Sequence, residues 1–412
     1  MSLQPVVDES PSIDAIDVSD PQIYLEDTWQ PLFARLRHED PVHYCPKSQY
    51  GPYWSVTRYD DIVAVELNHA VYSSSSEVGG IQIADSPPGR GVMSFIRMDP
   101  PLHTVRRRTV SPIVAPSNLA YMEATIRERS ANVLDGLPRN ETFDWVDRVS
   151  IELTTMMLAT LFDFPWEDRR KLSYWSDVWG ANVAAPDAPV RSDEERFAEL
   201  DRMGRYFSQL WNERVNAPPK FDLISMLAHG ETTRNMTPME FVGTLSLLIV
   251  GGNDTTRNTM SGGLLALHQN PDQWQKLRAN PALVPSLVAE TIRYQTPVIH
   301  MRRTAKTDAV LGGKQIRQGD KVVMWYVSGN RDDGVIDRPD AFIIDRAKPR
   351  QHLSYGAGIH RCVGDRLADL QLRILWEEIL KRDLQIEVVG PAQRVYSNFL
   401  RGFRYLPARI KR

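Results

Sequence analysis

Residues 352–364 read H-L-S-Y-G-A-G-I-H-R-C-V-G and run directly into a good helix-forming sequence. Glycines at 356, 358 and 364 let a loop bend sharply and approach a flat ligand closely. Cys362 then falls at the start of a helix expected from about Val363 to Lys381. Free N–H groups and the helix dipole favour a thiolate there and predict a lowered thiol pKa. His360 and Arg361 add donors and positive charge. A lone cysteine is more often a small packed hydrophobe. The glycine spacing, the histidine two residues before and the helix that follows favour a ligating thiolate here.

Outward from this loop, the clearest helix start is Thr237-Pro238-Met239-Glu240, which supplies an N-cap, a proline at the first position and an acid at the third. From Phe241 the pattern is apolar almost without pause, through Gly251-Gly252 to Leu267, before Asn270-Pro271. A helix apolar on most faces belongs in a core. A shorter helix is expected over Pro285 to Tyr294, and strands over Pro52 to Thr57 and Lys321 to Val327. Gly79 to Gly91 reads as one long surface loop, a kind that often closes over binding sites. No repeat or linker divides the chain. The expectation is one domain over 1–412, mainly α with small β-sheets, including a short N-terminal extension of about 1–20.

The 412 residues are 42% hydrophobic and 25% charged with a net charge of −3, leaving no basic excess for nucleic acid. Two cysteines, Cys45 and Cys362, argue against a disulfide framework and for a reducing compartment. Met1 to Asp20 is acidic and polar, without a signal-peptide core. No stretch approaches about twenty apolar residues, so no membrane span is expected and the location predicted is cytoplasmic.

A thiolate beside close-approach glycines suits the axial position of haem iron, where it favours O–O cleavage. The segment resembles the haem-binding signature of the cytochrome P450 superfamily, F-x-x-G-x-H/R-x-C-x-G. Gly358, His360, Cys362 and Gly364 match in register, with Tyr355 in place of phenylalanine. Gly251-Gly252-Asn253-Asp254-Thr255-Thr256 resembles the oxygen-activation motif A/G-G-x-D/E-T-T/S. That resemblance implies Thr255 as hydrogen-bond donor to the oxygen being activated and Asp254 as proton relay. A helical threonine by itself most often bonds back to the preceding turn. The glycine pair is expected to let the helix open locally.

Glu290 and Arg293 resemble the family's E-x-x-R pair, which is buried and tied to the segment matched by Pro339-Asp340-Ala341-Phe342 and Arg346. Spacing alone describes an ordinary surface pair. Asp99 to Arg107 resembles D-P-P-x-H-x-x-x-R, with His103 and Arg107 on one helix face. The resemblance implies that His103, Arg107, Arg303 and His360 hold the propionates of haem b, and that Tyr355 packs near the proximal face. It implies the cytochrome P450 fold, a triangular prism with haem between the long central helix and the cysteine helix.

Longer stretches (95–103, 110–119, 251–258 and 299–305) are similar to the bacterial medium-chain alkane ω-hydroxylases of this superfamily, with Arg97 where a small residue is expected. The implied reaction uses dioxygen and two electrons to convert a hydrophobic chain to a primary alcohol and water. The electrons come from a 2Fe-2S ferredoxin reduced by an NAD(P)H-dependent reductase, and Arg106, Arg108, Arg361 and Arg373 are candidates to steer it. Terminal attack needs a narrow apolar channel. Its expected wall comprises Ile81, Ile83, Val183, Leu248, Gly251, Val298, Ile299, Met301, Phe399 and Leu400. Two alternatives stand beside this reading. One is hydroxylation of bulkier terpene, aryl or fatty-acid substrates. The other is a non-enzymatic gas sensor or electron carrier, which needs no Asp254-Thr255 pair.

Overall fold

The longest helix starts where its cap residues place it. Thr237 Oγ1 accepts from the Glu240 N–H at 3.3 Å, and a Glu240 carboxylate oxygen accepts from the Thr237 N–H at 2.8 Å. The computed structural model describes residues 11–85, 93–186 and 188–411. In it this helix, Pro238–Gln269, is continuous for 32 residues, or about 48 Å at the usual rise. The glycine pair does not open it. A Cβ at Gly252 would lie 2.7 Å from Leu158 Cδ2, whereas one at Gly251 would meet nothing within 4 Å. Gly252 therefore lets the helix pack closely on the helix Glu152–Phe162, and Gly251 leaves space beside it.

Two further helices, Val284–Gln295 and Asp365–Lys381, complete the centre of the molecule. The second begins within two residues of the expected position, inside the ordinary variation of helix ends. It carries apolar residues on two faces. Leu372, Leu375 and Trp376 join Leu264, Leu287 and Ile292 in one cluster, while Leu370 and Ile374 join Leu158, Phe207, Leu245 and Ile249 in another. Each such buried side chain stabilises the fold by about 1.5–3 kcal/mol.

The fold is mainly α with small sheets, as expected. The largest sheet has five strands in the order Val42–Cys45, Tyr53–Val56, Lys321–Met324, Met301–Ala305 and Tyr72–Ser73. All its pairings are antiparallel except Tyr53–Val56 with Lys321–Met324. The strand expected over Lys321 to Val327 stops at Met324, because the Ser328 and Gly329 amides both bond to the Trp325 carbonyl (3.0 Å each) and close a helical turn.

One surface expectation is also corrected. Ile81 and Ile83 are buried rather than in a surface loop: the Ile81 carbonyl accepts from the Arg302 N–H at 2.8 Å, and the Ile83 N–H donates to His300 Nε2 at 3.1 Å. Residues 86–91 of that expected loop lie outside the described residues. The N-terminal extension, of which 1–10 lie outside them too, already belongs to the core at Ile16 and Val18, which pack with Tyr24, Trp29 and Trp325.

Glu290 and Arg293 form no surface pair. Both are essentially fully buried, joined by two 2.8 Å contacts. Arg293 also donates to the carbonyls of Asn330, Pro339 and Ala341, and Glu290 accepts from the Ile343 N–H and from Arg346 Nε at 2.8 Å.

Candidate active site

Between the central helix and the cysteine loop lies a cavity of about 250 Å³. The helix presents Gly251, Gly252, Thr255 and Thr256 to it, and the loop presents Tyr355, His360, Cys362 and Gly364. The loop is built by close approach. Gly358 has φ +62°, and a Cβ there would stand 2.6 Å from the Glu66 carbonyl oxygen. The Cys362 N–H donates to the Tyr355 carbonyl at 2.8 Å. The Tyr355 hydroxyl donates to Asp369 Oδ1 at 2.7 Å, tying the loop to the helix behind it.

Cys362 is accessible from the cavity yet deep within the protein, and burial pushes its thiol up to about 11. The Gly364 amide and the guanidiniums of Arg107 and Arg361 offset only part of this. The depressed pKa expected from the helix start is therefore not supplied by the protein alone; a coordinating cation reverses the balance. Cys45 sits in a strand with its thiol donating to the Lys47 carbonyl, and does not line the cavity.

One end of the cavity gathers arginine and histidine side chains. Arg107, Arg303 and His360 line it, with His103 packed against His360 at 4.4 Å between ring centroids. Neither ring nitrogen of buried His103 has a partner among the described residues, nor does His360 Nδ1. His360 Nε2 lies 2.9 Å from Ser74 Oγ. Burial, with Arg107 adding, lowers His103 to about 4; burial, with Arg303 adding, lowers His360 to about 2. Both rings are thus neutral at pH 7. Arg107 donates to the Arg361 carbonyl at 2.6 Å. Arg303 is already engaged, paired with Glu66 at 2.9 Å, and Tyr326 donates to the other Glu66 oxygen. Glu66 was not among the expected site residues, although its place four residues after buried Ile62 is a readable signal of an acid on an apolar face. Orphaned donors at one end and a lone cysteine facing a threonine-bearing helix fit a flat group that carries carboxylates and an iron.

Asp254 lies on the helix but does not line the cavity. It is buried, paired with Arg257 Nη2 at 2.9 Å, and accepts from Asn253 Nδ2 at 3.1 Å. The same Arg257 nitrogen contacts Asp177, which is 41% exposed, so one guanidinium bridges a buried acid and a solvent-facing one. Burial raises the Asp254 pKa, and Arg257 opposes the rise. Thr255 does line the cavity, but its hydroxyl donates to the Gly251 carbonyl at 3.0 Å, so in this arrangement it offers lone pairs rather than its proton.

Of the expected channel residues, Ile81, Leu248, Gly251, Val298, Met301, Phe399 and Leu400 line the cavity. Ile83 and Ile299 do not: both pack behind it in the cluster around Trp325. Val183 is in a turn after the helix Arg170–Gly180, also away from the lining. Sequence reasoning missed Ile96, Leu247 and Trp179, whose ring lies 6.2 Å from that of Phe399. Arg97 lines the cavity as well, bonded to Gln82 Oε1 at 2.9 Å, and burial pulls it down to about 10. Of the arginines expected to steer a redox partner, Arg108 and Arg361 are exposed, Arg361 with an ion pair to Asp365 at 2.9 Å. Arg106 is half-buried and paired with Glu240 at 2.7 Å, and Arg373 is paired with Glu123 and Glu377.

Such an arrangement defines a haem-thiolate protein. A family model described as Cytochrome P450 matches residues 194–388. The Linalool 8-monooxygenase of Pseudomonas putida is 36% identical over 95% of this chain and 97% of its own. Among solved structures, cytochrome P450-153 from Novosphingobium aromaticivorans is 50% identical with a TM-score of 0.91, covering 96% of this chain and 99% of that one. CYP153D17 from Sphingomonas sp. PAMC 26605 is 49% identical, also with a TM-score of 0.91, covering 97% and 100%. The chain belongs to the cytochrome P450 family, oxidoreductases whose haem carries a cysteine thiolate ligand. No described helix is long and apolar enough to cross a membrane.

Proposed function

We propose that this chain is a monooxygenase that hydroxylates the end of linear, medium-chain aliphatic molecules in the cytoplasm, with electrons from a 2Fe-2S ferredoxin. The observation that carries this reading is the apolar wall, in which Leu248, Val298, Met301, Phe399 and Leu400 line the same cavity as Thr255. Internal C–H bonds are weaker than terminal ones, so a wall that admits a chain only end-on is what selects the methyl group.

In this reading Cys362 Sγ binds the iron of haem b, and His103, Arg107, Arg303 and His360 hold its propionates. Bound there, haem supplies the splitting of dioxygen by two external electrons and two protons, one oxygen atom going to the C–H bond and the other to water. The protein's own contribution is to admit the chain, exclude water and deliver protons. Thr255 Oγ1 turns its proton away from the Gly251 carbonyl, hands that proton on toward the oxygen being activated, and takes a replacement from the solvent side. Asp254 is the reservoir behind it, replenished when Arg257 shifts its pairing from Asp254 to Asp177. Arg108 and Arg361 are the exposed charges suited to an acidic ferredoxin.

An Asp254→Asn variant is expected to lose about a hundredfold in product formation, the lower end of what a positioned proton-transfer group contributes. It should also lose the alkaline limb of the pH profile, because a proton donor acts only while protonated. Asp177→Asn, which removes the other partner of Arg257, should slow turnover too, though by less. Parent-like turnover in Asp254→Asn would remove the relay from the scheme.

A titration of the ferric haem with alkanes, alkanols and fatty acids of graded length tests the substrate class. A high-spin shift that peaks at one medium alkane length is the expected result. A second reading has its own support in the likeness to a linalool monooxygenase and in Arg97, which puts a cation into the apolar wall. It predicts a shift with branched terpene alcohols and none with any linear alkane.

A further inference from the structure

Glu66 is the one carboxylate among the described residues that line the cavity. It stands at the end where Arg107, Arg303 and His360 make a site for carboxylates, and a further buried acid there repels what the site is built to hold. Such a group persists only when its own pairing compensates the burial. The compensation is complete at both oxygens: Oε2 takes Arg303 Nη2 at 2.9 Å, and Oε1 takes the buried Tyr326 hydroxyl. Arg303 is fixed from the other side by donating Nη1 to the Arg302 carbonyl at 2.8 Å. The helix Tyr59–Leu67 that carries Glu66 also forms the floor under Gly358 of the cysteine loop.

We infer that Glu66 is a positioning residue for the cofactor: it holds the Arg303 guanidinium toward a haem propionate and offsets part of its charge, so that the pair sets the reduction potential of the iron. This rests on the reading that Arg303 faces a propionate. An unbalanced arginine near the haem favours the added electron, and Glu66 opposes it. The expected direction follows: Glu66→Gln shifts the ferric/ferrous midpoint to more positive potential, and Arg303→Gln shifts it to more negative potential. The double variant should fall closer to the parent than the two single shifts predict by addition, because groups in one ion pair are not independent.

The measurement is a spectroelectrochemical titration of the substrate-free holoprotein for the parent, both single variants and the double variant. Glu66→Asp, which keeps the charge, is the conservative rescue and should return the midpoint toward the parent value. A merely structural role would lower stability without moving the midpoint in opposite directions for the two partners. If Arg303→Gln shifts the midpoint but Glu66→Gln does not, the inference about Glu66 is overturned while the propionate reading stands. If neither shifts it, the propionate reading itself fails. Should Glu66→Gln not retain haem, Tyr326→Phe releases one Glu66 oxygen while keeping both charges. It is expected to move the midpoint negative, and an unchanged midpoint in that variant counts against the pair.

Discussion

Cys362→Ser is expected to leave a folded chain that has lost monooxygenase activity by at least about a thousandfold, equivalent to ~4 kcal/mol in barrier. The loop that carries the residue is held by bonds that do not involve the sulfur: the Cys362 amide to the Tyr355 carbonyl and the Tyr355 hydroxyl to Asp369. Removing one sulfur atom therefore disturbs the chemistry far more than the fold. Helix content by circular dichroism should match the parent, while the reduced carbonyl complex loses the long-wavelength band of a thiolate ligand. Cys45→Ser is the control, since that thiol faces the Lys47 carbonyl in a strand. If the serine variant at 45 lost the band and the one at 362 kept it, the ligand assignment would be wrong.

Arg293→Ala is expected to cost about 3–5 kcal/mol, the usual penalty for stranding one partner of a buried ion pair. Glu290 would keep only the Ile343 amide and Arg346, and three carbonyls would lose their shared donor. Against a total stability of about 5–15 kcal/mol this is a large share. It should appear as a lowered denaturant midpoint with little change in slope. Arg293→Lys should recover only part of it, because an ammonium does not reproduce the planar fork. A loss below about 1 kcal/mol in Arg293→Ala, the range of an exposed pair, would mean that the network contributes little.

Which of these features the sequence announces depends on the range over which each is determined. The capping box at Thr237 and the glycine-spaced cysteine loop are local, and both are where the residues place them. The burial of Glu290 and Arg293 is not local: their partners lie more than thirty residues further on, and only the family resemblance pointed to them. The channel fails in an instructive way. Ile81 and Ile83 are two apart, as are residues on one face of a strand, yet the chain bends between them and they enter different clusters. Val298 and Met301 both line the cavity because the regular strand begins only at Met301, so alternation does not apply upstream of it. Asp254 and Thr255 were read as one unit, but successive helical positions are about 100° apart, which puts the threonine on the cavity and the acid against the helix Arg170–Gly180. The Asp254–Arg257 spacing of three was visible; that Asp177 completes it was not.

Apart from Leu247, Leu248 and Gly251, the cavity wall draws on short stretches near residues 81, 96, 179, 298 and 400, whereas the groups expected to do the chemistry sit on one helix and one loop. Selector and catalyst are thus written largely, though not wholly, in different parts of the gene. Substitutions in those dispersed stretches would therefore change what the cavity admits without touching Thr255, Asp254 or the cysteine loop.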